Sequence, residues 1–130
     1  MTAPSGPPRP RPLALPRSAR IRSARDFGRV YAEGRKAVGR HLVLWAAPAP
    51  PPAIRVGVVA SRRVGKAVVR TRCKRRLREA FRRLRPGLRP GLDVVLVARA
   101  GLAEAPWPEL VEDLRRQARR AGALDHDPAA

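Results

Sequence analysis

Nine cations crowd one short stretch of this chain: Arg70, Arg72, Lys74, Arg75, Arg76, Arg78, Arg82, Arg83 and Arg85. From Arg62 to Arg89 there are thirteen basic residues and a single acid, Glu79. Like charges at i, i+3 and i+4 on a helix repel by tenths of a kcal/mol per pair. A helix selected for stability alone would alternate them with glutamate. Closely spaced phosphates remove that repulsion, release counterions and accept paired donors from guanidinium forks. The chemistry these residues can do is therefore polyanion binding; a merely solvated face in an arginine-rich chain is the plainer alternative.

A second set could stack bases. The chain has only five aromatic residues, and Phe27, Tyr31 and Trp45 fall in one early segment. Phe27 and Tyr31 share a helix face, while Val43 and Trp45 share a strand face. If the helix flanks that strand face, the four line a groove that could hold unpaired bases, with about 1–3 kcal/mol per stacked base. Ordinary packing of an amphipathic helix on a sheet fits the same residues, Phe27 above all. The Gly65-Lys66 turn is not a nucleotide loop: a Walker pattern needs Gly at 60 and Ser or Thr at 67, and both positions are alanine. Its backbone N–H groups could still meet one phosphate.

No constellation for protein catalysis is visible. Asp26, Glu33 and Glu79 sit among cations on different elements, Asp93 begins a strand, and Glu109, Glu112 and Asp113 read as a solvated helix face. His41 has no obvious acidic partner. Cys73, the only cysteine, falls on an apolar helix stripe and reads as a buried, inert thiol. One cysteine with two scattered histidines cannot build a four-ligand zinc site.

The elements that must position these groups follow from periodicity. Ser23-Ala24-Arg25-Asp26 resembles a capping box, opening a helix over about 23–33 that stops at Gly34. His41 to Ala47 reads as a strand, closed by the rigid run from Pro48 to Pro52. A second strand spans about 54–61, and the short connection suggests an antiparallel pair. The basic helix covers about 67–85, with Val69, Cys73, Leu77, Ala80, Phe81 and Leu84 as its apolar stripe. Leu92 to Ala98 is a continuous apolar run, the pattern of a strand covered on both faces. Pro106 and Pro108 open a last helix over about 107–121, with Leu110, Val111 and Leu114 toward the core. The order of helix, strands, helix, strand, helix is that of a small two-layer α/β sandwich.

At 130 residues the chain suits one domain. We expect a disordered or extended arm over 1–16, with six prolines, one domain over 17–121 and a short polar tail over 122–130. The formal net charge of +19 is tolerable mainly beside a polyanion. Arginine supplies 26 of the 29 basic residues, which GC-rich coding explains as readily as a need for guanidinium forks. There is no apolar run of about 18 residues and no signal-peptide pattern, so a cytoplasmic, non-membrane protein is expected.

The run Lys66-Ala67-Val68-Val69-Arg70-Thr71-Arg72-Cys73-Lys74-Arg75-Arg76-Leu77-Arg78-Glu79-Ala80-Phe81-Arg82 resembles the signature of the bacterial ribonuclease P protein family. That signature, often called the RNR motif, is followed at fixed spacing by a Lys-Arg pair and an Arg-Glu pair. Upstream, Arg25-Asp26-Phe27, Tyr31 and Gly34 look like the family's first helix. Leu42-Val43-Leu44-Trp45 looks like its first strand, and Arg55-Val56-Gly57 through Gly65 like its second. The likeness covers about 17–120.

The resemblance implies a mixed sheet of about four strands with three helices and a left-handed β-α-β crossover, which is rare. It implies a protein with no catalytic residues, metal or cofactor of its own, partnered by an RNA subunit that uses Mg²⁺ to cleave the 5′ leader from precursor tRNA. By matching position, Lys66, Arg70, Thr71, Arg72, Lys74, Arg75, Arg78 and Arg82 form the RNA-binding motif helix. Phe27, Tyr31, Val43 and Trp45 line a leader cleft, with Ser61 and Arg62 near its motif end. Thr71 stands where the family usually has Asn, keeping a hydroxyl but losing the amide's paired donor and acceptor. The rivals are a ribosomal or chaperone-type RNA binder, a DNA-binding helix and a protein nuclease; neither DNA nor a membrane is expected as a partner.

Overall fold

The structure, a computed structural model, describes residues 15–125. The proline-rich arm lies outside the described residues except for Leu15, which packs on the core, and exposed Pro16. Three helices and four strands follow in the order α1 (Ala24–Glu33), β1 (Arg35–Val38), β2 (Leu42–Pro48), β3 (Ile54–Val59), α2 (Ala67–Leu84), β4 (Leu92–Ala98) and α3 (Trp107–Arg120). Ser23 caps α1 as its sequence suggests, its Oγ accepting from the Asp26 N–H at 3.0 Å. Gly34 ends the helix because the chain passes close to neighbouring backbone. A Cβ there would lie 2.4 Å from the Val30 carbonyl oxygen and 3.2 Å from that of Ala46. The short strand β1 is not visible to pattern reading: Arg35-Lys36-Ala37-Val38 is half charged, and only Ala37 is buried.

The sheet order is β1-β2-β4-β3, with β2 antiparallel to both β1 and β4 and β3 parallel to β4. The expected antiparallel pairing of the 41–47 and 54–61 strands is therefore corrected: β4 lies between them. The reason is burial. Leu92–Ala98 is covered along nearly its whole length, so it takes a central place with a neighbour on each side. The proline-rich loop after β2 bridges the start of β4 instead of making a hairpin. Ala49 N–H donates to the Gly91 carbonyl at 2.8 Å, and the Gly91 and Leu92 N–H groups donate to that of Ala53 at 3.0 and 3.1 Å. The outer edge of β3 is met by the segment before α1, where Ile21 N–H donates to the Val56 carbonyl at 2.9 Å. The β3-α2-β4 unit is the crossover joining two parallel neighbours.

Strand alternation divides the core. Leu42, Leu44, Val56, Val94 and Leu96 face α2 and α3 and form the larger cluster with Leu77, Phe81, Leu110 and Leu114. Ala47 and Val95 point to the opposite face, under Val30 of α1 and Ile21. Of the positions expected to face the core on the last helix, Leu110 and Leu114 are fully buried and Val111 partly. The stretch read as a polar tail from 122 is docked through Asp125: Ala123 is buried, and Leu124 bridges to Leu88.

Candidate nucleic-acid interface

The α1 face of the sheet is only partly covered. Val30 is fully buried against Ala47 and Val95, which fixes the helix over that end of the sheet. Phe27 packs above Gly57, where a Cβ would lie 2.5 Å from its ring. Tyr31 stays 38% exposed and meets Trp45 edge to face, ring centroids 5.2 Å apart. Val43 and Trp45 are half-buried on the same strand face. Phe27, Tyr31, Val43 and Trp45 thus share one partly open face, continued by half-buried Val59 and Val97. Burial pushes the Tyr31 phenol above its ordinary pKa, so it stays a neutral donor. The edge strand β1 adds two residues that sequence reading misses. Lys36 and Val38 pair with Trp45 and Val43, and the Lys36 ammonium lies 5.1 Å from the Trp45 ring centroid.

One charged network pins α1 to this face. Asp93 is fully buried on β4, and Arg55 of β3 reaches its two carboxylate oxygens with bonds of 2.8 and 2.7 Å. Arg29 of α1 closes on the same carboxylate and also donates to the Pro48 carbonyl at 3.0 Å. Arg55 further contacts Asp26 of α1 at 3.4 Å, so the network holds the helix at two positions one turn apart. Hydrogen bonding to Asp93 raises the Arg55 pKa further and keeps the guanidinium charged. The available signal was an aspartate inside an otherwise apolar, buried strand, which demands a partner.

The outward face of α2 is cationic as expected, with its apolar stripe Cys73, Leu77, Ala80, Phe81 and Leu84 inside. Lys66, Thr71, Arg72 and Arg75 are exposed; Arg70, Lys74, Arg78 and Arg82 are half-buried. A concavity of about 570 Å³ opens between this face and the segment before α1, lined by Leu15, Arg20, Thr71, Arg75, Arg78, Glu79 and Arg82. Arg20 is a fourth guanidinium there that the sequence did not single out. Burial, then the charge of Arg20, pulls the Arg78 pKa down. An anion in the concavity would relieve that repulsion. Arg82 is not a free cation: it hydrogen-bonds to Glu79, which raises its pKa, and Glu79 also takes the Arg83 Nε at 3.2 Å. Ser61 and Arg62 are exposed in the turn before α2, where Ser61 Oγ accepts from the Arg63 N–H at 3.3 Å.

Some cations of α2 serve the fold. Arg76 donates to the carbonyls of Leu102, Ala103 and Ala105 at 2.6, 3.1 and 2.6 Å, and lies with Arg83 over the Trp107 ring. Cys73 is buried, and desolvation raises its thiol pKa. Two expectations are corrected at the other end of the sheet. Asp113 is not on a solvated face; it is buried and accepts the His41 N–H at 2.8 Å and the Gln117 amide at 3.0 Å. His41 does have an acidic neighbour, with Nε2 3.4 Å from Glu109. At Gly39 the chain passes so close to Asp113 that a Cβ there would strike the carboxylate. Among the described residues no group of three or more His, Cys, Asp or Glu could hold a metal ion, and no helix is long and apolar enough to cross a membrane.

The same arrangement recurs in known proteins. The family model described as Ribonuclease P matches residues 15–122. A Ribonuclease P protein component from Symbiobacterium thermophilum is 40% identical over 117 residues, covering 87% of this chain and 99% of that protein. One from Herpetosiphon aurantiacus is 42% identical over 113 residues, covering 87% and 91%. The solved RNase P protein from Thermotoga maritima superposes with a TM-score of 0.70 at 30% identity, covering 78% of this chain and 96% of that one. With the fold, the motif helix and these likenesses in agreement, the chain belongs to the ribonuclease P protein family.

Proposed function

We propose that this chain, as a ribonuclease P protein component, holds the catalytic RNA with the outward face of α2 and the 5′ leader of precursor tRNA in the aromatic cleft. The holoenzyme removes the leader endonucleolytically and leaves the mature tRNA 5′ end. The single observation that carries this reading is the coexistence of two unlike surfaces. One is a guanidinium-rich helix face suited to phosphates. The other is a half-open cleft of Phe27, Tyr31, Val43 and Trp45 suited to unpaired bases. The chemistry belongs to the RNA, which requires Mg²⁺; the protein binds no cofactor of its own and works in the cytoplasm.

On this reading the protein raises holoenzyme affinity for precursor over mature tRNA, because only the precursor carries a leader. Lys66, Arg70, Thr71, Arg72, Lys74, Arg75 and Arg78 meet the RNA directly, Arg82 in company with Glu79. Ser61 and Arg62 extend the cleft toward the motif. By offsetting RNA–RNA repulsion the protein lowers the Mg²⁺ the RNA needs. The test is cleavage of a precursor tRNA by the RNA subunit from the same genome, at low Mg²⁺, with and without the chain. Stimulation is expected. Unchanged rates would reject the proposal, and cleavage by the chain alone would point to a protein nuclease.

A further inference from the structure

Val68 is 77% exposed, the most exposed of the large hydrophobic side chains among the described residues. A lone apolar residue on a surface is ordinary. The position of this one is not. Val68, Thr71, Arg72 and Arg75 stand at i, i+3, i+4 and i+7 and make one face of α2, opposite the buried stripe that runs through Cys73 and Leu77. With Ala67 they line a depression of about 370 Å³. Thr71 and Arg75 also line the larger cationic concavity, so the two run into each other along the helix. The first two turns of the helix that carries the most charge therefore present an apolar step, formed by Val68 beside Ala67 and Thr71 and bordered by guanidinium groups.

We propose that this step takes the face of an unstacked nucleobase of the RNA subunit, with Arg72 and Arg75 holding the phosphates on either side. This rests on the reading of α2 as the RNA-facing helix and goes beyond it by assigning one position on that helix to base contact. The occupant follows from the surroundings. An apolar protein segment would have to bring Arg72 and Arg75 out of water with no counter-charge. A nucleobase arrives on a ribose-phosphate chain that supplies anions at both sides while offering an apolar face. Thr71, which lines the same depression, adds its side-chain methyl to this step.

Salt dependence separates this contact from the charges around it. Phosphate contacts release counterions and set the slope of log K against log salt, whereas an apolar contact does not. The experiment measures affinity of the full chain for a transcript of the RNase P RNA from the same genome, over a range of salt, for wild type, Val68→Ser, Val68→Lys and Arg75→Ala. Ser and Val have similar helix propensities and the site is exposed, so Val68→Ser folds, which circular dichroism checks. Val68→Ser is expected to bind about tenfold more weakly at every salt concentration, with an unchanged slope. Val68→Lys is expected to weaken binding at high salt despite its added charge. Arg75→Ala is expected to weaken binding with a shallower slope, by about one.

Wild-type affinity in Val68→Ser, or tighter binding with a steeper slope in Val68→Lys, would overturn the base contact. If Arg75→Ala behaves as expected in the same series, the RNA-facing reading of α2 stands without it. If Arg75→Ala changes neither affinity nor slope, that reading fails first and takes the base contact with it.

Discussion

Asp93 and Arg55 occupy paired register positions on the parallel neighbours β4 and β3, and the guanidinium closes on the buried carboxylate with bonds of 2.8 and 2.7 Å. Because Arg29 of α1 binds the same carboxylate, one aspartate joins two strands and a helix. Removing it leaves two partly buried guanidiniums facing each other without a counter-charge. Asp93→Ala is therefore expected to cost about 3–5 kcal/mol in chemical denaturation. A loss below about 1 kcal/mol would show that α1 is held by its apolar face alone.

Arg76 and Arg75 are adjacent on α2 and are expected to fail in opposite ways. Arg76 satisfies three carbonyls of the segment before α3, two of them at 2.6 Å, while Arg75 is exposed. Hydrogen bonds from a charged group contribute about 1.5–3 kcal/mol each. Arg76→Ala is expected to lower stability by at least about 2 kcal/mol and to leave the salt slope of RNA binding unchanged. Arg75→Ala is expected to leave the melting temperature within about 2 °C of wild type while reducing that slope. Thermal melts and salt titrations of both variants check the pair; equal behaviour would contradict the division of labour.

Glu79 gives the motif helix a pH dependence. Hydrogen bonds from Arg82 and then Arg83 hold its carboxyl below the ordinary carboxylate range. A folded-state pKa below the unfolded one gives stability that is present above the unfolded value and lost as pH falls through the folded one. The unfolded reference lies at 4.5. Wild type is thus expected to exceed Glu79→Gln in stability at pH 6, and the gap to close as pH drops below 4.5. The carboxylate is 38% exposed, so screening limits the gap to about 1 kcal/mol or less. Paired melts of the two proteins between pH 6 and about pH 3 read the difference; a gap that widens on acidification would contradict the sign.

The sequence made the helices legible because their signals are local. Ser23 caps α1, Pro86 and Gly87 stop α2, and Pro106 and Pro108 open α3. The cationic outer face of α2 and the grouping of Phe27, Tyr31 and Trp45 were visible from type and spacing alone. What the sequence did not disclose was set by distant partners. Strand β1 has no apolar alternation, so nothing in it advertised Lys36 beside Trp45. The place of β4 between β2 and β3 depends on a loop that crosses its start, which loop length alone does not encode. Arg76, Arg78 and Arg82 look alike as letters. Only their neighbours make one a clamp on carbonyls, one a partly desolvated cation beside Arg20, and one a partner of Glu79.

Trp45 offers the sharpest test of the cleft, because only a precursor carries the segment that would stack on it. Its ring meets Tyr31 at 5.2 Å and Lys36 at 5.1 Å, so a base entering there displaces the ammonium from the ring face and exchanges one cation–π contact for stacking. On the proposed reading, the displaced Lys36 would then meet the leader phosphate. Trp45→Ala removes the platform, and stacking of about 1–3 kcal/mol per base predicts a loss in precursor affinity of about tenfold or more. Mature tRNA, which has no leader, is expected to bind the holoenzyme with little change, and this controls for damage to the fold. Lys36→Ala is expected to lower precursor affinity less and to reduce its salt dependence. Equal losses for precursor and mature tRNA in Trp45→Ala would mean that the aromatic face supports the protein and not the leader.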